Sequence, residues 1–466
     1  MGKALMLQGT MSDSGKSFIT AGICRYLSNK GYKTAPFKSQ NMASNCYITD
    51  DGSQLGRAQA LQAVAAKCPI DARLNPILLK PKTNEGSEVI IEGRSHGFMS
   101  AKEYFKIRKT FFPVVENCFK SLMSENDFVI IEGAGSPAEI NLKKDDIVNM
   151  GIAKMAEAPV LLIGDIDRGG VFASLYGTYM LLEESEKSYV KGFIINKFRG
   201  DKSLLMPGID MFYKKIPIET LGIMPYLDIV VDEEDSLSKK SLIRENADVE
   251  VSVIDFNGMK NFHDFLVLKE YSGLSLKYVK NPIEAIQSDI VVIPDFETDN
   301  FENFRYKKEL KDLLKNKPAI VLGAGYKILN ETYKSKGNYI NGLGLLNLKE
   351  GELLTVPSKK ECAFKSKDSS FWKFLDNQKI KGFINENTEF TVTSSGNILI
   401  SSLNGFFSNH HITDLILKKI AEDKGKIFNA QDIQDNFLEN QLDILARAIE
   451  ENLDMERIES IIEEGI

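Results

Sequence analysis

Short apolar runs alternate with longer amphipathic segments through the first half of the chain. The runs fall at residues 5–7, 128–131, 160–163 and 192–195, and several of the segments between them are long enough for helices. This alternation predicts a parallel β-sheet covered by helices. Ligands bind such sheets at the carboxyl ends of the strands. The polar residues that follow the runs are therefore the first candidates for chemistry.

A second α/β pattern begins after a charged stretch at residues 232–240, which indicates a linker or a surface excursion. Amphipathic helices follow from Thr413 to the end, and the preceding apolar runs lie at residues 249–254, 290–293 and 319–322. A chain of 466 residues is also too long for one compact core. We therefore predict two α/β domains, at residues 1–235 and 248–466.

Composition places the chain among ordinary globular proteins, with 43% hydrophobic and 26% charged residues. The formal net charge is −7 and no block of Lys and Arg stands out, which argues against nucleic acid as a partner. The N-terminal residues lack the pattern of a signal peptide, and no apolar stretch has transmembrane length. The five cysteines lack the spacing of a zinc site. We expect a cytoplasmic protein with reduced thiols and no membrane partner.

A glycine-rich loop, Gly9 to Ser17, follows the first apolar run and leads into a helical segment. In that context glycines let backbone N–H groups converge on phosphate oxygens at a helix N-terminus. Lys16 is placed to reach the β and γ phosphates, and Ser17 to bind Mg²⁺. We predict ATP and Mg²⁺ as the cofactors. The residues expected to hold the nucleotide are Gly9, Thr10, Ser14, Gly15, Lys16 and Ser17.

Carboxylates stand at the ends of two of the predicted strands. Glu132 follows one apolar run and precedes a Gly-Ala-Gly segment, where a second Mg²⁺ ligand is needed. The alternative is a cap for the next helix. Asp165 and Asp167 follow another run and precede Arg168. This pair suits a further metal contact or a phosphorylated intermediate, and the alternative is an Asp-Arg pair on the surface.

Further blocks of sequence, taken together and in order, resemble the cobyric acid synthase family. They lie at residues 36–42, 56–59, 75–81, 132–142, 145–151, 164–172 and 192–201. The resemblance implies an α/β protein in which a dethiobiotin-synthetase-like P-loop ATPase domain precedes a flavodoxin-like domain of the class I glutamine amidotransferase type. It also implies that ATP and glutamine-derived ammonia are used to amidate the b, d, e and g carboxylates of adenosylcobyrinic acid a,c-diamide in cobalamin biosynthesis.

The same resemblance implies roles for four residues beyond the loop. Lys38 and Arg57 would bind phosphate or a substrate carboxylate, Asp146 would face the corrinoid, and Asn196 would approach the adenine. The chain departs from the family at Gln54, where a glutamate and expected Mg²⁺ ligand would stand. A neutral carbonyl predicts weaker metal binding, unless Asp50 or Asp51 supplies the charge.

The second domain lacks the two groups that a glutaminase of this class requires. The resemblance places Gly323 where the nucleophilic cysteine would stand, and Asn404 where the histidine base would stand. A cysteine nucleophile needs a base within reach. Rescue by Cys362 with His410 or His411 would need an unusual geometry. We therefore predict that this chain has no glutaminase activity.

Three functions are compatible with the sequence. The first is an amide ligase acting on a corrinoid with free ammonia or with ammonia from a separate glutaminase. The second is an impaired paralogue that binds a corrinoid or a nucleotide without catalysis. The third is a relative that acts on a different small acid. The oligomeric state stays open.

Overall fold

The chain forms two compact units in a computed structural model, Met1–Asp235 with Leu438–Ile466 and Ser236–Phe437. The structure describes residues 2–43, 46–83, 86–141, 143, 145–227, 229, 241–256, 258–260, 262–335, 337–348, 352–354, 358–366, 370–384, 388–390, 392–428 and 437–466. The charged stretch at residues 232–240 lies outside the described residues. Among the described residues, no helix is both long and apolar enough to cross a membrane.

The first unit contains twelve strands and eight helices before residue 235 among its described residues. The strands are β1 Lys3–Gly9, β2 Thr34–Phe37, β3 Gln40–Met42, β4 Cys46–Ile48, β5 Gln54–Gly56, β6 Ile77–Thr83, β7 Gly86–Ile91, β8 Arg94–Ser100, β9 Phe128–Glu132, β10 Val160–Asp165, β11 Val190–Phe198 and β12 Thr220–Pro225. The helices are α1 Lys16–Asn29, α2 Arg57–Ala65, α3 Ala101–Ile107, α4 Phe112–Glu125, α5 Met150–Ala156, α6 Val171–Met180, α7 Glu184–Lys187 and α8 Met206–Tyr213.

The main sheet of this unit is parallel throughout, in the order β12-β11-β10-β1-β9-β2. The predicted parallel sheet is therefore confirmed. β1 lies at the centre of the sheet and is almost fully buried, because its residues are apolar on both faces. Leu7 of β1 pairs with Glu132 of β9, and Gly9 with Ile163 of β10. The carboxyl ends of these three strands thus meet beside the loop that follows β1.

A smaller sheet, in the order β3-β6-β7-β8, is inserted between β2 and α4. Its β3 and β6 are parallel, and the other pairs are antiparallel. The antiparallel pair β4 and β5 leads directly into α2. Apolar residues such as Ile77 and Leu79 of β6 join the core of the unit. The sheet also carries two buried charged residues, Lys80 and Glu88, which are register partners.

The second unit is a separate α/β layer structure. Its strands are β13 Val249–Ile254, β14 Leu274–Val279, β15 Ile290–Ile293, β16 Ala319–Leu322, β17 Thr332–Ser335, β18 Asn338–Asn341, β19 Glu352–Leu354, β20 Ser358–Ala363, β21 Lys379–Ile384, β22 Thr388–Phe390, β23 Val392–Ser395 and β24 Ile398–Ser401. Its helices are α9 Leu266–Lys269, α10 Lys307–Asn316 and α11 His410–Asp423. The main sheet has the order β14-β13-β15-β16-β24-β23, and only β23 is antiparallel to its neighbour. Its five parallel strands have the flavodoxin-like order.

The last two helices, α12 Phe437–Asn452 and α13 Met455–Glu464, belong to the first unit. The second compact unit ends at Phe437, the first residue of α12, whereas the second domain expected from the sequence runs to residue 466. Apolar residues of both helices, including Leu445, Ile449 and Ile458, share a core with Ile19 and Ile23 of α1. The amphipathic pattern of these helices predicts a buried face but does not specify which unit covers it.

Gly22 and Arg25 of α1 lie against helix α12. A Cβ atom at Gly22 would lie 2.5 Å from Cγ1 of Ile449, so the two helices approach closely at this point. Arg25 is buried and forms ion pairs with Asp443 at 2.7 Å and Glu439 at 2.5 Å. Since α1 starts at the glycine-rich loop, the end of the chain supports the helix that carries that loop.

Replacing Ile449 with alanine should destabilise the first unit. Ile449 is fully buried against α1, so Ile449→Ala should lower the free energy of unfolding by about 2–4 kcal/mol. Ile444, on the same helix, is 41% exposed, and Ile444→Ala is the matched control with an expected effect below about 0.5 kcal/mol. Urea unfolding, with hydrogen exchange of α1 peptides, measures both. Equal effects of the two variants would contradict this packing.

Candidate nucleotide-binding site

The glycine-rich loop connects β1 to α1. A side chain would not fit at either Gly9 or Gly15 of this loop. A Cβ atom at Gly9 would lie 2.1 Å from the hydroxyl oxygen of Ser14 and 2.9 Å from Nζ of Lys16. Gly15 has a φ of +89°, and a Cβ there would lie 2.0 Å from Nδ2 of Asn196. The loop therefore folds tightly around the start of α1, as phosphate binding by backbone amides requires.

Lys16 is held above this loop by two backbone carbonyls. Its Nζ donates to the carbonyl of Met11 at 3.0 Å and to that of Gly135 at 3.1 Å. The hydroxyl oxygens of Thr10 and Ser14 are buried and have no hydrogen-bond partner among the described residues. An ammonium and two such hydroxyls suit an anionic ligand, because each can donate a hydrogen bond to a phosphate oxygen.

Glu132 lies at the centre of a buried polar cluster beside the loop. Its Oε1 accepts hydrogen bonds from Oγ of Ser17 at 2.7 Å and from Nζ of Lys38 at 2.8 Å. Its Oε2 accepts a hydrogen bond from Nε2 of Gln62 at 2.6 Å. The side chains of Glu132 and Lys38 are only 1% and 8% exposed. The fold thus brings Ser17, Lys38 and Glu132 together, although they lie far apart in the sequence.

The environment of Glu132 keeps its carboxylate charged. Burial alone would raise the pKa of Glu132, but the charge of Lys38 and the hydrogen bonds from Lys38, Gln62 and Ser17 outweigh burial and lower it. A carboxylate and a serine hydroxyl that share a contact supply hard oxygen donors, which Mg²⁺ prefers. Ser17 and Glu132 therefore fit the metal ligands expected from the sequence.

Asn196, near the end of β11, forms a hydrogen bond with the glycine-rich loop. Its Nδ2 donates to the carbonyl of Ser14 at 2.9 Å, and the residue is 4% exposed. The next residue, Lys197, donates to the carbonyl of Asp13 at 2.5 Å and to Oδ2 of Asp165 at 2.9 Å. Asp165 is therefore tied to the loop through Lys197. Asn196 lies next to the loop, and its expected contact with adenine stays a prediction.

Arg168 lies beside an acidic residue of its own cluster, since its Nε is 3.9 Å from Oδ2 of Asp165, as in the Asp-Arg pair that the sequence left as the alternative. Asp167 accepts a hydrogen bond from Nε of Arg199 at 3.1 Å, and Arg168 lies 3.4 Å from Asp13. The guanidinium of Arg199 also stacks over the ring of Tyr226 at 3.5 Å. These exposed contacts form a charged rim around the loop. Asp165, in contrast, is 2% exposed and belongs to the buried part of the site.

Asp146 caps a backbone segment before α5. Its Oδ1 accepts from the amides of Val148 at 2.8 Å and Asn149 at 3.0 Å, and its Oδ2 from the amide of Gly151 at 3.0 Å. These bonds give Asp146 a structural role in shaping the loop that follows Glu132. Arg57 is the first residue of α2 and is half-buried. The contacts of both residues with a substrate stay predictions.

Gln54 lies in a polar group of its own on β5. Its Oε1 accepts hydrogen bonds from Nζ of Lys80 at 3.0 Å and from Sγ of Cys46 at 3.3 Å. Burial raises the pKa of the Cys46 thiol, and the charges of Lys80 and Arg57 oppose that effect. Asp51 accepts hydrogen bonds from Thr49, Ser53 and Arg94. The hydrogen bonds of Gln54 and Asp51 are thus with these neighbours, and those of Glu132 are with Ser17, Lys38 and Gln62.

In the second unit, the turn after β16 is filled by a neighbouring side chain. Gly323 has a φ of +55°, and a Cβ there would lie 2.3 Å from Cβ and from Cγ of Asp295. Oδ1 of Asp295 accepts a hydrogen bond from the amide of Ala324 at 3.1 Å. A side chain at residue 323 would therefore collide with Asp295. The amide that could stabilise an oxyanion after this turn already binds a carboxylate.

Asn404, Cys362 and His411, which were considered for glutamine hydrolysis, each have a different environment. Asn404 is 1% exposed, and its backbone pairs with that of Phe383. Cys362 lies on β20, where burial raises the pKa of its thiol. Nε2 of His411 lies 3.1 Å from Oε1 of Gln378. A thiol with a raised pKa is a poor nucleophile at neutral pH, because little of it is ionised.

Three residues with contacts described above were not among the predicted site residues: Gln62, Lys197 and Asp295. Gln62 lies on α2, one turn and a half after Arg57, and only its amide distinguishes it from the apolar residues of that helix. Lys197 directly follows Asn196, which the sequence did single out. Asp295 follows β15 and a proline, and an acidic residue at a strand end is the signal that could have drawn attention to it.

Comparisons with known proteins identify the family to which the chain belongs. Residues 5–238 match the family CbiA, described as the CobQ/CobB/MinD/ParA nucleotide binding domain. A cobyric acid synthase of Ruminiclostridium cellulolyticum is 40% identical over 100% of this chain and 98% of its own length. Those of Lachnoclostridium phytofermentans and Thermoanaerobacter sp. are 39% identical over 100% of both chains and 36% identical over 99% of both chains. The chain therefore belongs to the cobyric acid synthase family and carries its nucleotide-binding domain.

Proposed function

We propose that this protein is an ATP-dependent amide ligase that converts the b, d, e and g carboxylates of adenosylcobyrinic acid a,c-diamide into amides. Membership of the cobyric acid synthase family over the full length supports the substrate. The observation that carries the chemistry is the buried cluster of Ser17, Lys38 and Glu132 beside the phosphate loop. Such a cluster places an ammonium group, a hydroxyl group and a carboxylate where ATP phosphates would lie.

The reaction needs activation because a carboxylate is a poor acyl donor. Transfer of the γ-phosphoryl group from ATP to a carboxylate oxygen releases ADP and forms an acyl phosphate. Ammonia then attacks the acyl carbon, and the C–O bond to phosphate breaks with release of inorganic phosphate and a proton. In this proposal Lys16 and the loop amides bind the phosphates, and Lys38 and Arg57 bind the transferred phosphoryl group or the substrate carboxylate.

Ser17 and Glu132 are the residues that would hold Mg²⁺. When bound, Mg²⁺ would supply positive charge that neutralises the phosphates of ATP. Asp165 is not bonded to this pair but to Lys197, which fixes the loop at Asp13. We therefore assign Asp165 a loop-positioning role. Asn196 has the same role through Ser14.

The nitrogen is proposed to come from free ammonia or from a separate glutaminase. Gly323 supplies no nucleophile, and Asp295 occupies the space around it. Asn404 cannot act as the base that a cysteine nucleophile needs. The two substitutions, at Gly323 and Asn404, and the position of Asp295 affect the same reaction, because each removes or blocks one part of glutamine hydrolysis. The second unit is accordingly proposed to be a glutaminase-type domain without glutaminase activity.

The ligase should use ammonium and not glutamine. Purified protein with ATP, Mg²⁺ and the a,c-diamide should give amidated corrinoids with ammonium chloride, and none above background with glutamine. Mass spectrometry of the corrinoid measures both. Lys16→Met should reduce the rate with ammonium by about 10²-fold or more, because a donor to the phosphates is lost.

Two outcomes of that assay would reject the proposal in different ways. Nucleotide binding without any amidated product would favour the impaired paralogue. Equal activity of the unmodified protein with glutamine and with ammonium would show that the chain hydrolyses glutamine. Lys3→Met is a suitable charge control, since Lys3 lies at the opposite end of β1 and pairs with Glu463.

Restoring the nucleophile alone should not restore glutamine hydrolysis. Gly323→Cys introduces a Cβ atom into the space of Asp295 and a side chain at a φ of +55°, so it should destabilise the second unit and release no glutamate. Coupled detection of glutamate measures the result. Cys362→Ser serves as the control, because glutamate release by the unmodified chain that disappears in this variant would identify Cys362 as the nucleophile and contradict the proposal.

A further inference from the structure

Gln62 contacts both residues that are proposed to hold Mg²⁺. It lies on α2, is fully buried, and directs its Nε2 to Oε2 of Glu132 at 2.6 Å and to the backbone carbonyl of Ser17 at 3.2 Å. Both partners are acceptors, so the amide nitrogen must face them. A reversed amide would place Oε1 against the carboxylate. The orientation of Gln62 is thus determined by its surroundings.

The two oxygens of Glu132 have different partners. Oε2 is bound by Gln62, while Oε1 faces the Ser17 hydroxyl and the Lys38 ammonium. A carboxylate with one oxygen held by a neutral amide cannot rotate freely, because rotation would break that hydrogen bond. Oε1 therefore stays directed at the side of the cluster where Ser17 lies.

The remaining polar atom of Gln62 is also informative. Its Oε1 is buried and has no hydrogen-bond partner among the described residues. Leaving a buried carbonyl oxygen without a hydrogen-bond partner is unfavourable, because the oxygen has lost its contacts with water. A hydrated metal ion beside Ser17 and Glu132 would offer water as a donor to this oxygen. The amide therefore fits a metal site better than a purely apolar packing role.

We infer that Gln62 is a positioning residue for the metal site, which it serves by fixing the Glu132 carboxylate and by accepting a hydrogen bond from metal-bound water. This inference rests on the proposed function, because it needs Mg²⁺ at Ser17 and Glu132. Among the described residues, the hydrogen bonds of the Gln54 side chain run to Lys80 and Cys46 instead. Gln62, and not residue 54, thus supports the metal ligand in this chain.

The test is the affinity of the full-length protein for Mn²⁺ in the presence of ADP, measured by electron paramagnetic resonance of free Mn²⁺ with ADP alone as the blank. Gln62→Met keeps the length of the side chain and removes the amide. It should weaken Mn²⁺ binding by about 10-fold or more, as loss of an outer-shell partner of a metal ligand does. Binding of ADP in EDTA should stay unchanged, which a general loss of structure would not allow.

Gln59→Met is the matched control. Gln59 is also fully buried on α2, and its Oε1 bonds to Asn41 instead of Glu132. Its variant should keep the Mn²⁺ affinity of the unmodified protein. If Gln62→Met does not fold, Gln62→Asn retains an amide but shortens its reach by one methylene, and Mn²⁺ binding should weaken in the same direction.

The outcomes separate this inference from the proposed function. Equal Mn²⁺ affinities for the unmodified protein and the folded Gln62 variant would overturn the positioning role alone. Equal losses in the Gln62 and Gln59 variants would also overturn it, since the effect would then belong to α2 as a whole. No Mn²⁺ binding by the unmodified protein beyond the ADP blank would overturn the metal-dependent function itself.

Discussion

The buried charge of Glu132 is the constraint around which the first unit is organised. A carboxylate that is 1% exposed is stable only with charged and hydrogen-bonding partners, since an unpaired buried charge costs several kcal/mol. Ser17 comes from the loop after β1, Lys38 from the end of β2 and Gln62 from α2. The central position of β1 in the sheet, with β9 as its neighbour, is what allows these three segments to converge.

This convergence explains how much of the site could be predicted from the sequence. The loop Gly9 to Ser17 and Glu132 are recognisable because each follows an apolar run, and strand ends meet at one edge of a parallel sheet. Gln62 carries no comparable local signal, because its importance comes only from its distance to Glu132. Asn196 and Asp146 were recognisable as residues of the family, but their bonds to Ser14 and to the amides before α5 required the folded backbone.

In the second unit, the sequence predicted individual strands but not the contact between the ends of two of them. Its strands β13, β15 and β16 were predictable from apolar runs, whereas the replacement of the two catalytic groups at Gly323 and Asn404 stays a prediction. The sequence did not indicate that Asp295 would fill the turn, because this depends on a contact between two strand ends. A side chain at residue 323 would collide with Asp295, and the positive φ at this position favours glycine. The packing of the turn therefore favours glycine at residue 323.

The return of α12 and α13 to the first unit has a consequence for how the protein is made. The helix that carries the phosphate loop shares its core with residues such as Ile449 and Ile458, which follow the whole second unit in the chain. The second unit must therefore be synthesised before the nucleotide-binding unit can complete its core. A chain cut short anywhere in the second unit would lose α12 and α13, and the helix that carries the phosphate loop would lose the residues that cover it.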